Sequence, residues 1–118
     1  PEHGGPGLPT VVALAAQSLF DRACPAFGML PVPQRSAARL IAAFGEDDVR
    51  RRWLPRLAAG DWGATICISE PDAGSDLRRM RTRASVGAAG GWRITGEKCW
   101  ISFGDHDMAD NIVHLVLA

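Results

Sequence analysis

Thr65-Ile66-Cys67-Ile68-Ser69-Glu70-Pro71-Asp72-Ala73-Gly74-Ser75-Asp76 is the stretch of this chain that decides its fold. The pattern predicts a buried apolar strand that ends in a hydroxyl, a carboxylate, a proline and a Gly-Ser-Asp turn. A second apolar run, Lys98-Cys99-Trp100-Ile101-Ser102, also ends in a hydroxyl. Two hydroxyls at strand ends, one of them close to an indole, are groups suited to a polar planar cofactor.

The bulk composition is that of an ordinary folded domain. The chain has 118 residues, 47% of them hydrophobic, and its 13 basic and 13 acidic residues give no net charge. This balance argues against binding to nucleic acid or a membrane surface through bulk charge. No stretch resembles a signal peptide, and none approaches the ~20 apolar residues of a membrane span, so we expect a cytoplasmic setting.

The three cysteines are Cys24, Cys67 and Cys99, an odd and widely spaced set. Their spacing fits neither a metal site nor a disulfide framework. Cys67 and Cys99 lie in apolar runs, so we expect them to be reduced core residues.

Apolar residues before Asp61 recur at helical spacing. The first helix is expected to open at Thr10 as its N-cap and to end at Pro25. Residues 26–33 are predicted to form a loop or a short turn.

Two further helices are predicted before the chain changes character. One is expected over residues 36–44, with Ser36 as its cap, and the next over residues 46–57. Pro55 is expected to kink or shorten the latter, and Gly60 to terminate it.

After Asp61 the apolar period falls toward two, which is typical of strands. The predicted strands cover residues 63–69, 83–86, 92–95, 98–102 and 112–117. Thr95-Gly96-Glu97 predicts a tight hairpin turn between the third and fourth of these. Helices followed by strands indicate an α+β fold or two segregated domains, with the division between residues 1–60 and 61–118. The start at Pro1 and the apolar run at the end predict a piece of a longer protein.

Four segments, in this order, resemble the acyl-CoA dehydrogenase family. They are Gly4-Gly5-Pro6-Gly7-Leu8; the segment from Gly45 to Trp62, a helix followed by Leu54-Pro55-Arg56-Leu57-Ala58-Ala59-Gly60 and Asp61-Trp62; Ile68-Ser69-Glu70-Pro71-Asp72-Ala73-Gly74-Ser75-Asp76; and Gly96-Glu97-Lys98-Cys99-Trp100-Ile101-Ser102, with Ala109-Asp110 beyond it. The resemblance implies an N-terminal helical domain followed by the first strands of a β-barrel-like middle domain. Residues 104–118 resemble the branch that contains 3-methylmercaptopropionyl-CoA dehydrogenases.

The resemblance also implies FAD as the cofactor. The residues it places against FAD are Ile66, Cys67, Ile68, Ser69, Gly74, Ser75, Trp100, Ile101 and Ser102. Ser69 and Ser102 would supply hydroxyls to the polar edge and N5 of the flavin, and Trp100 an apolar plane. Ser75 would also lie near the CoA end of the substrate or the pyrophosphate, beside the Gly74 backbone.

The activity implied is oxidation of acyl-CoA thioesters, in fatty acid metabolism, to trans-2-enoyl-CoA. In this family a carboxylate removes the α-proton while the β-hydride passes to FAD, and electrons leave to an electron-transfer flavoprotein. The catalytic carboxylate would lie outside this chain, and the full protein would be a homo-oligomer, either dimer or tetramer. An acyl-CoA oxidase of the same fold and a non-catalytic binding module remain as alternatives.

Three sets of charged residues have simpler interpretations than catalysis. Glu70 and Asp76 are expected to fix the turn by accepting backbone N–H groups rather than to act as an acid–base pair. The residues Asp105, His106, Asp107, Asp110 and His114 are expected to belong to a solvated loop and to hold no metal. The run Arg78, Arg79, Arg81 and Arg83 is expected to be a solvated face, with contact to a CoA phosphate as the alternative.

Two positions depart from the family pattern. Ser69 stands where threonine is more usual, which keeps the hydroxyl and loses a methyl group. Arg79 stands where a small residue is expected, so the packing after the first signature is expected to differ.

Overall fold

Four helices precede four strands in the computed structural model, which describes residues 3–88 and 90–118. The helices are α1 (Thr10–Ala23), α2 (Pro25–Gly28), α3 (Pro31–Phe44) and α4 (Asp47–Ala59). The strands are β1 (Trp62–Cys67), β2 (Arg83–Val86), β3 (Trp92–Thr95) and β4 (Asn111–Val116), with a single 3-10 turn at Leu77–Arg79 before β2. This order confirms the predicted α+β fold class.

Helix α1 ends where its sequence predicts but starts differently. Cys24 is extended, with φ −153° and ψ 96°, because the ring of the following proline excludes the helical conformation. The expectation that Thr10 caps the helix is wrong. Pro9 occupies the N-cap position, no side chain caps the helix, and Thr10 is its first residue.

The loop expected at residues 26–33 is wrong as well. Helix α2 occupies its first part, and α3 begins at Pro31 rather than at Ser36. Proline is favoured in the first turn of a helix, where its missing N–H has no partner to lose, so the prolines there begin the helix instead of preventing it. The Gln34 side chain donates to the carbonyls of Leu57 and Trp62 at 2.9 and 2.7 Å, which ties α3 to α4 and β1.

Helix α4 confirms the predicted stop at Gly60, which adopts the left-handed conformation with φ 85°. The helix nevertheless continues to Ala59, past the expected end at Leu57, with Pro55 inside its last turns.

The strands form two separate pairs. β1 and β4 are parallel, in a register that runs from Trp62 opposite Asn111 to Cys67 opposite Val116. β2 and β3 are antiparallel, with their limits as predicted.

The strand and hairpin predicted around residues 95–102 are wrong. β3 pairs with β2, the strand that precedes it in sequence, and residues 98–102 form no strand. Trp100 and Phe103 have φ values of 60° and 55°, so the backbone turns sharply where an extended run was expected.

The core joins the helices to the parallel pair. It is formed by Ala37 and Ile41 of α3, Leu54 and Leu57 of α4, Ala64 of β1 and Val113 of β4. Helix α1 contributes no buried residue. None of the helices in the described ranges combines the length and the apolar character that crossing a membrane demands.

Candidate functional site

The chain turns back on itself just after β1. The Glu70 N–H donates to the Ala73 carbonyl at 2.8 Å, and the Ala73 N–H donates to the Glu70 carbonyl at 3.1 Å. Ala73 is buried under this closed turn, while Gly74 and Ser75 beyond it are exposed. The turn therefore anchors one residue in the protein and presents the next two to solvent.

The buried Glu70 carboxylate is saturated with donors. The Lys98 ammonium lies 2.8 Å from Oε1, and the N–H groups of Arg81 and Thr82 donate at 2.6 and 3.0 Å. Lys98 is the largest cause, and together with Thr82 and the Arg81 N–H it lowers the pKa of Glu70 to about 2. A carboxylate held ionised in this way has little capacity to exchange protons near neutral pH, which favours a structural role.

The predicted backbone contacts of the two acidic residues are confirmed, with one difference. Asp76 accepts the N–H of Arg78 at 3.3 Å, within its own turn. Glu70 instead reaches across to the segment that enters β2. It therefore fixes two separate segments to each other.

The segment of residues 98–102 is attached by its first two residues and then turns outward. The Cys99 N–H donates to the Ser69 carbonyl at 3.0 Å, and the Lys98 ammonium donates to the Ile68 carbonyl at 3.0 Å. Trp100 follows in the left-handed conformation and is 90% exposed. A large apolar plane is thus held open beside the end of β1.

A cleft of about 330 Å³ lies beside this tryptophan. Its lining residues are Met29, Val32, Pro33, Ser36, Ile66, Trp100 and Ser102. The walls are mostly apolar with a few hydroxyls, and the volume is at the lower end of the ~300–1,000 Å³ of small-molecule sites. Three predicted site residues, Ile66, Trp100 and Ser102, meet here.

The other predicted site residues lie around the cleft without lining it. Cys67 is buried, with Sγ 3.2 Å from the Thr65 hydroxyl. Ser69 and Ile101 are half-buried, Ile68 is more exposed, and Ser75 lies past the closed turn. A Cβ added at Gly74 would meet no atom within 4 Å, so the space beside this glycine is open.

Sequence reasoning missed the opposite wall of the cleft. Met29, Val32, Pro33 and Ser36 come from the predicted loop at residues 26–33 and from the start of α3. The signal that could have found them is the Pro31-Val32-Pro33 start of a helix, with Val32 and Ser36 on one face at i, i+4 spacing. Lys98 was also missed as a contact of Glu70, since the two residues are 28 positions apart.

Two arginines of the 78–83 run pair with acidic residues close to them in sequence, whereas His114 contacts a distant residue. Arg78 pairs with Asp76 at 2.9 Å and Arg81 with Asp72 at 3.2 Å, on exposed side chains. The Nδ1 atom of His114 lies 2.7 Å from the Thr65 hydroxyl. Within residues 3–88 and 90–118, no three histidine, cysteine or acidic side chains are grouped so that they could hold a metal ion.

Two family signatures match the chain in succession. That of the acyl-CoA dehydrogenase N-terminal domain matches residues 1–61, and that of the acyl-CoA dehydrogenase middle domain matches residues 65–117. Together they cover nearly the whole sequence.

Curated relatives match along the same length. The 3-methylmercaptopropionyl-CoA dehydrogenase of Ruegeria pomeroyi is 43% identical, over 99% of this chain and 20% of that protein. The broad-specificity linear acyl-CoA dehydrogenase FadE5 of Mycobacterium tuberculosis is 37% identical, over 98% of this chain and 19% of that protein. The chain therefore spans about a fifth of the length of these relatives.

Solved structures show the same fold. The glutaryl-CoA dehydrogenase of Mycobacterium smegmatis superposes with a TM-score of 0.76 and 35% identity, over 84% of this chain and 26% of that one. A chain of the ChsE4–ChsE5 complex of Mycobacterium tuberculosis gives a TM-score of 0.61 and 38% identity, over 84% and 25%.

Proposed function

Because the chain belongs to the acyl-CoA dehydrogenase family, we propose that it is part of a longer FAD-dependent enzyme that oxidises acyl-CoA thioesters to trans-2-enoyl-CoA. Residues 1–60 would belong to its N-terminal helical domain and residues 61–118 would begin its middle β-domain. The observation that carries this proposal is the cleft in which Trp100, Ser102 and Ile66 come together.

The residues of the cleft suit a flavin. Trp100 leaves nearly all its side chain free for contact, and exposing an indole without a ligand leaves a large apolar surface in water. The exposed Ser102 hydroxyl offers a donor and an acceptor beside that surface. FAD, when bound, would supply the redox chemistry by taking up the electron pair removed from the acyl chain.

We propose a separate task for each residue at the site. Trp100 and Ile66 cover the flavin ring and exclude water, and Ser102 donates a hydrogen bond to its polar edge. Cys67, Ile68, Ser69 and Ile101 contact the same cofactor, through main-chain groups where the side chain is turned away. Gly74 leaves open space for a phosphate group to approach the backbone, and Ser75 contacts the CoA end of the substrate or the pyrophosphate.

We assign removal of the α-proton and reoxidation of the flavin to groups outside this chain. A carboxylate outside this chain would remove the α-proton, and reoxidation would use an electron-transfer flavoprotein. We propose a homo-oligomer in the cytoplasm. The acyl chain that the enzyme prefers would depend on pocket residues beyond this segment.

The test begins with the full-length protein. It is expected to purify with the absorbance of oxidised flavin, or to gain that absorbance when FAD is added, and to lose it when acyl-CoA is added without oxygen. A protein that binds no FAD would contradict the proposal. Rapid reoxidation by oxygen alone would identify an acyl-CoA oxidase instead.

A further inference from the structure

Lys98 connects the two segments that carry the proposed flavin contacts. Its ammonium group donates both to the Glu70 carboxylate, at 2.8 Å, and to the Ile68 carbonyl, at 3.0 Å. The side chains of Lys98 and Glu70 are only 11% and 5% exposed, unlike the other ion pairs of the described residues. Removing either partner would leave the other charge buried and unpaired.

The same carboxylate holds a third segment. Glu70 accepts the N–H groups of Arg81 and Thr82, so its side chain joins the end of β1 to the start of β2. With Lys98 added, the three segments at residues 68–70, 81–82 and 98–99 meet at a single ion pair. None of these segments is itself a regular helix or strand.

The segment that needs this support is the one that leads to Trp100. A left-handed conformation is unfavourable for a bulky residue and persists only where the surroundings impose it. The exposed indole has little packing of its own to impose it. Lys98, two residues earlier, is therefore well placed to determine where Trp100 lies.

We propose that Lys98 and Glu70 are positioning residues of the flavin site, whose ion pair fixes the Trp100–Ser102 segment against the end of β1. Neither residue lines the cleft, and each acts through Trp100 and Ser102. This inference rests on the proposed function, because it assumes that those two residues contact FAD.

The test compares Lys98→Met with Arg81→Met in the full-length protein. Each variant loses one positive charge and one ion pair with the same turn, but the Arg81–Asp72 pair is exposed. Lys98→Met is expected to raise the dissociation constant for FAD about 10-fold or more. In this variant the backbone of at least one residue has to be ordered when FAD binds, and the entropy cost of ordering one residue corresponds to a change of about that size. The visible circular dichroism of bound FAD is expected to change as well. Arg81→Met is expected to leave both unchanged.

The outcomes separate this inference from the function on which it rests. If the wild-type protein binds no FAD, the proposed function is contradicted, and so is this inference. Wild-type protein that binds FAD, beside a Lys98→Met variant with the same affinity and spectrum, would overturn the positioning role alone.

A second variant covers the case in which Lys98→Met does not fold. Lys98→Arg keeps the charge but has a longer side chain and a planar head group. The positioning role then predicts a folded protein with an altered spectrum of bound FAD. An unaltered spectrum in that variant would also overturn the inference.

Discussion

Trp100 combines two features that folding alone does not favour: a left-handed backbone and an indole left in solvent. Either feature by itself raises the free energy of the folded protein. Their occurrence in one residue, at the mouth of a cleft, favours a role in binding. A mutation can separate the two.

Trp100→Gly is expected to leave the apoprotein as stable as wild type or up to about 1 kcal/mol more stable, since glycine adopts this conformation without strain. The same variant is expected to bind FAD much more weakly, because the apolar plane is lost. Apoprotein melting and FAD titration on one preparation measure both quantities. Trp100→Phe, which keeps a plane and the strain, is the control and is expected to bind more tightly than Trp100→Gly. A clear loss of apoprotein stability in the glycine variant would show that the indole is part of the core.

Ser102→Ala is expected to slow flavin reduction by acyl-CoA about 10- to 100-fold, the effect of losing a hydrogen bond worth about 1.5–3 kcal/mol to a site that gains charge. Stopped-flow absorbance measures the rate, and the effect on substrate binding is expected to be smaller. Ser69→Thr keeps a hydroxyl and is expected to change little. Reduction of Ser102→Ala at the wild-type rate would leave this hydroxyl without a part in the reaction.

The resemblance to the family was enough to identify Trp100, Ser102 and Ile66 as neighbours in a candidate site. It was not enough to identify the Lys98–Glu70 pair, because nothing local links residues 28 positions apart. Nor could it show that the Cys67 side chain is buried beside Thr65. Which side of a short apolar run faces a ligand is settled by tertiary packing.

At the scale of the elements, the contact through which Glu70 connects the end of β1 to the start of β2 is expected to weaken in acid. The pKa of Glu70 in the folded protein, about 2, is below its ordinary value of 4.5. Its contribution to stability is therefore complete above about pH 4.5 and is lost as the pH falls toward 2. Melting temperatures of full-length wild type and Glu70→Gln are expected to differ most above pH 5 and to converge as the pH falls to about 2. A difference that stays constant with pH would contradict this assignment.

Alanine substitutions at Gly96 and Gly74 are expected to have different effects on stability. A Cβ at Gly96 would lie 2.3 Å from the Thr82 hydroxyl and 2.7 Å from the Thr82 Cα, whereas Gly74 has open space around it. Gly96→Ala is expected to destabilise the protein by at least about 2 kcal/mol through overpacking.

Gly74→Ala is the matched control for stability. It also tests whether a phosphate group of a ligand comes close to the Gly74 backbone. It is expected to leave the apoprotein melting temperature within a degree or so, about the size of an ordinary surface change. If a phosphate comes close to this backbone, the affinity for FAD or acyl-CoA is expected to fall. Equal melting of the two glycine variants would contradict the predicted contrast.

Element boundaries followed from sequence where local signals and packing agree. Gly60 ends α4 and Pro25 ends α1, because each imposes a backbone conformation by itself. Residues 98–102 have the apolar composition of a strand, yet they form none, since the left-handed turn at Trp100 is maintained by contacts from distant residues. Pairing between strands far apart in sequence likewise gives no local signal.

On the scale of the whole molecule, helix α1 contacts α2 through Phe20 and Phe27, whose ring centroids lie 6.3 Å apart, but leaves most of its apolar side chains exposed. Val11, Leu14, Leu19 and Phe20 are each more than half exposed, and no residue of the helix is buried. Exposed apolar side chains in this number are typical of a surface that another part of a protein covers.

The isolated chain of 118 residues is therefore expected to bind a hydrophobic dye such as ANS and to bind FAD at least about 100-fold more weakly than the full-length protein, since the ordering that the rest of the protein supplies is absent. Dye fluorescence and FAD titration of the two proteins side by side measure this. Equal FAD affinity would show that this segment alone forms the complete site.

The parallel pairing of β1 with β4 also sets an order of events during synthesis. Thr65 and His114 are paired across 49 positions of sequence, so this sheet has to close a long loop before any of its contacts form. A ribosome-bound chain that ends before Asn111 has made all four helices but leaves β1 as an unpaired edge next to an apolar core. Such an edge is a template for wrong partners until β4 emerges, and non-local parallel pairing is slow to form. The strand that presents the candidate site is thus open to misassociation while the protein is being made.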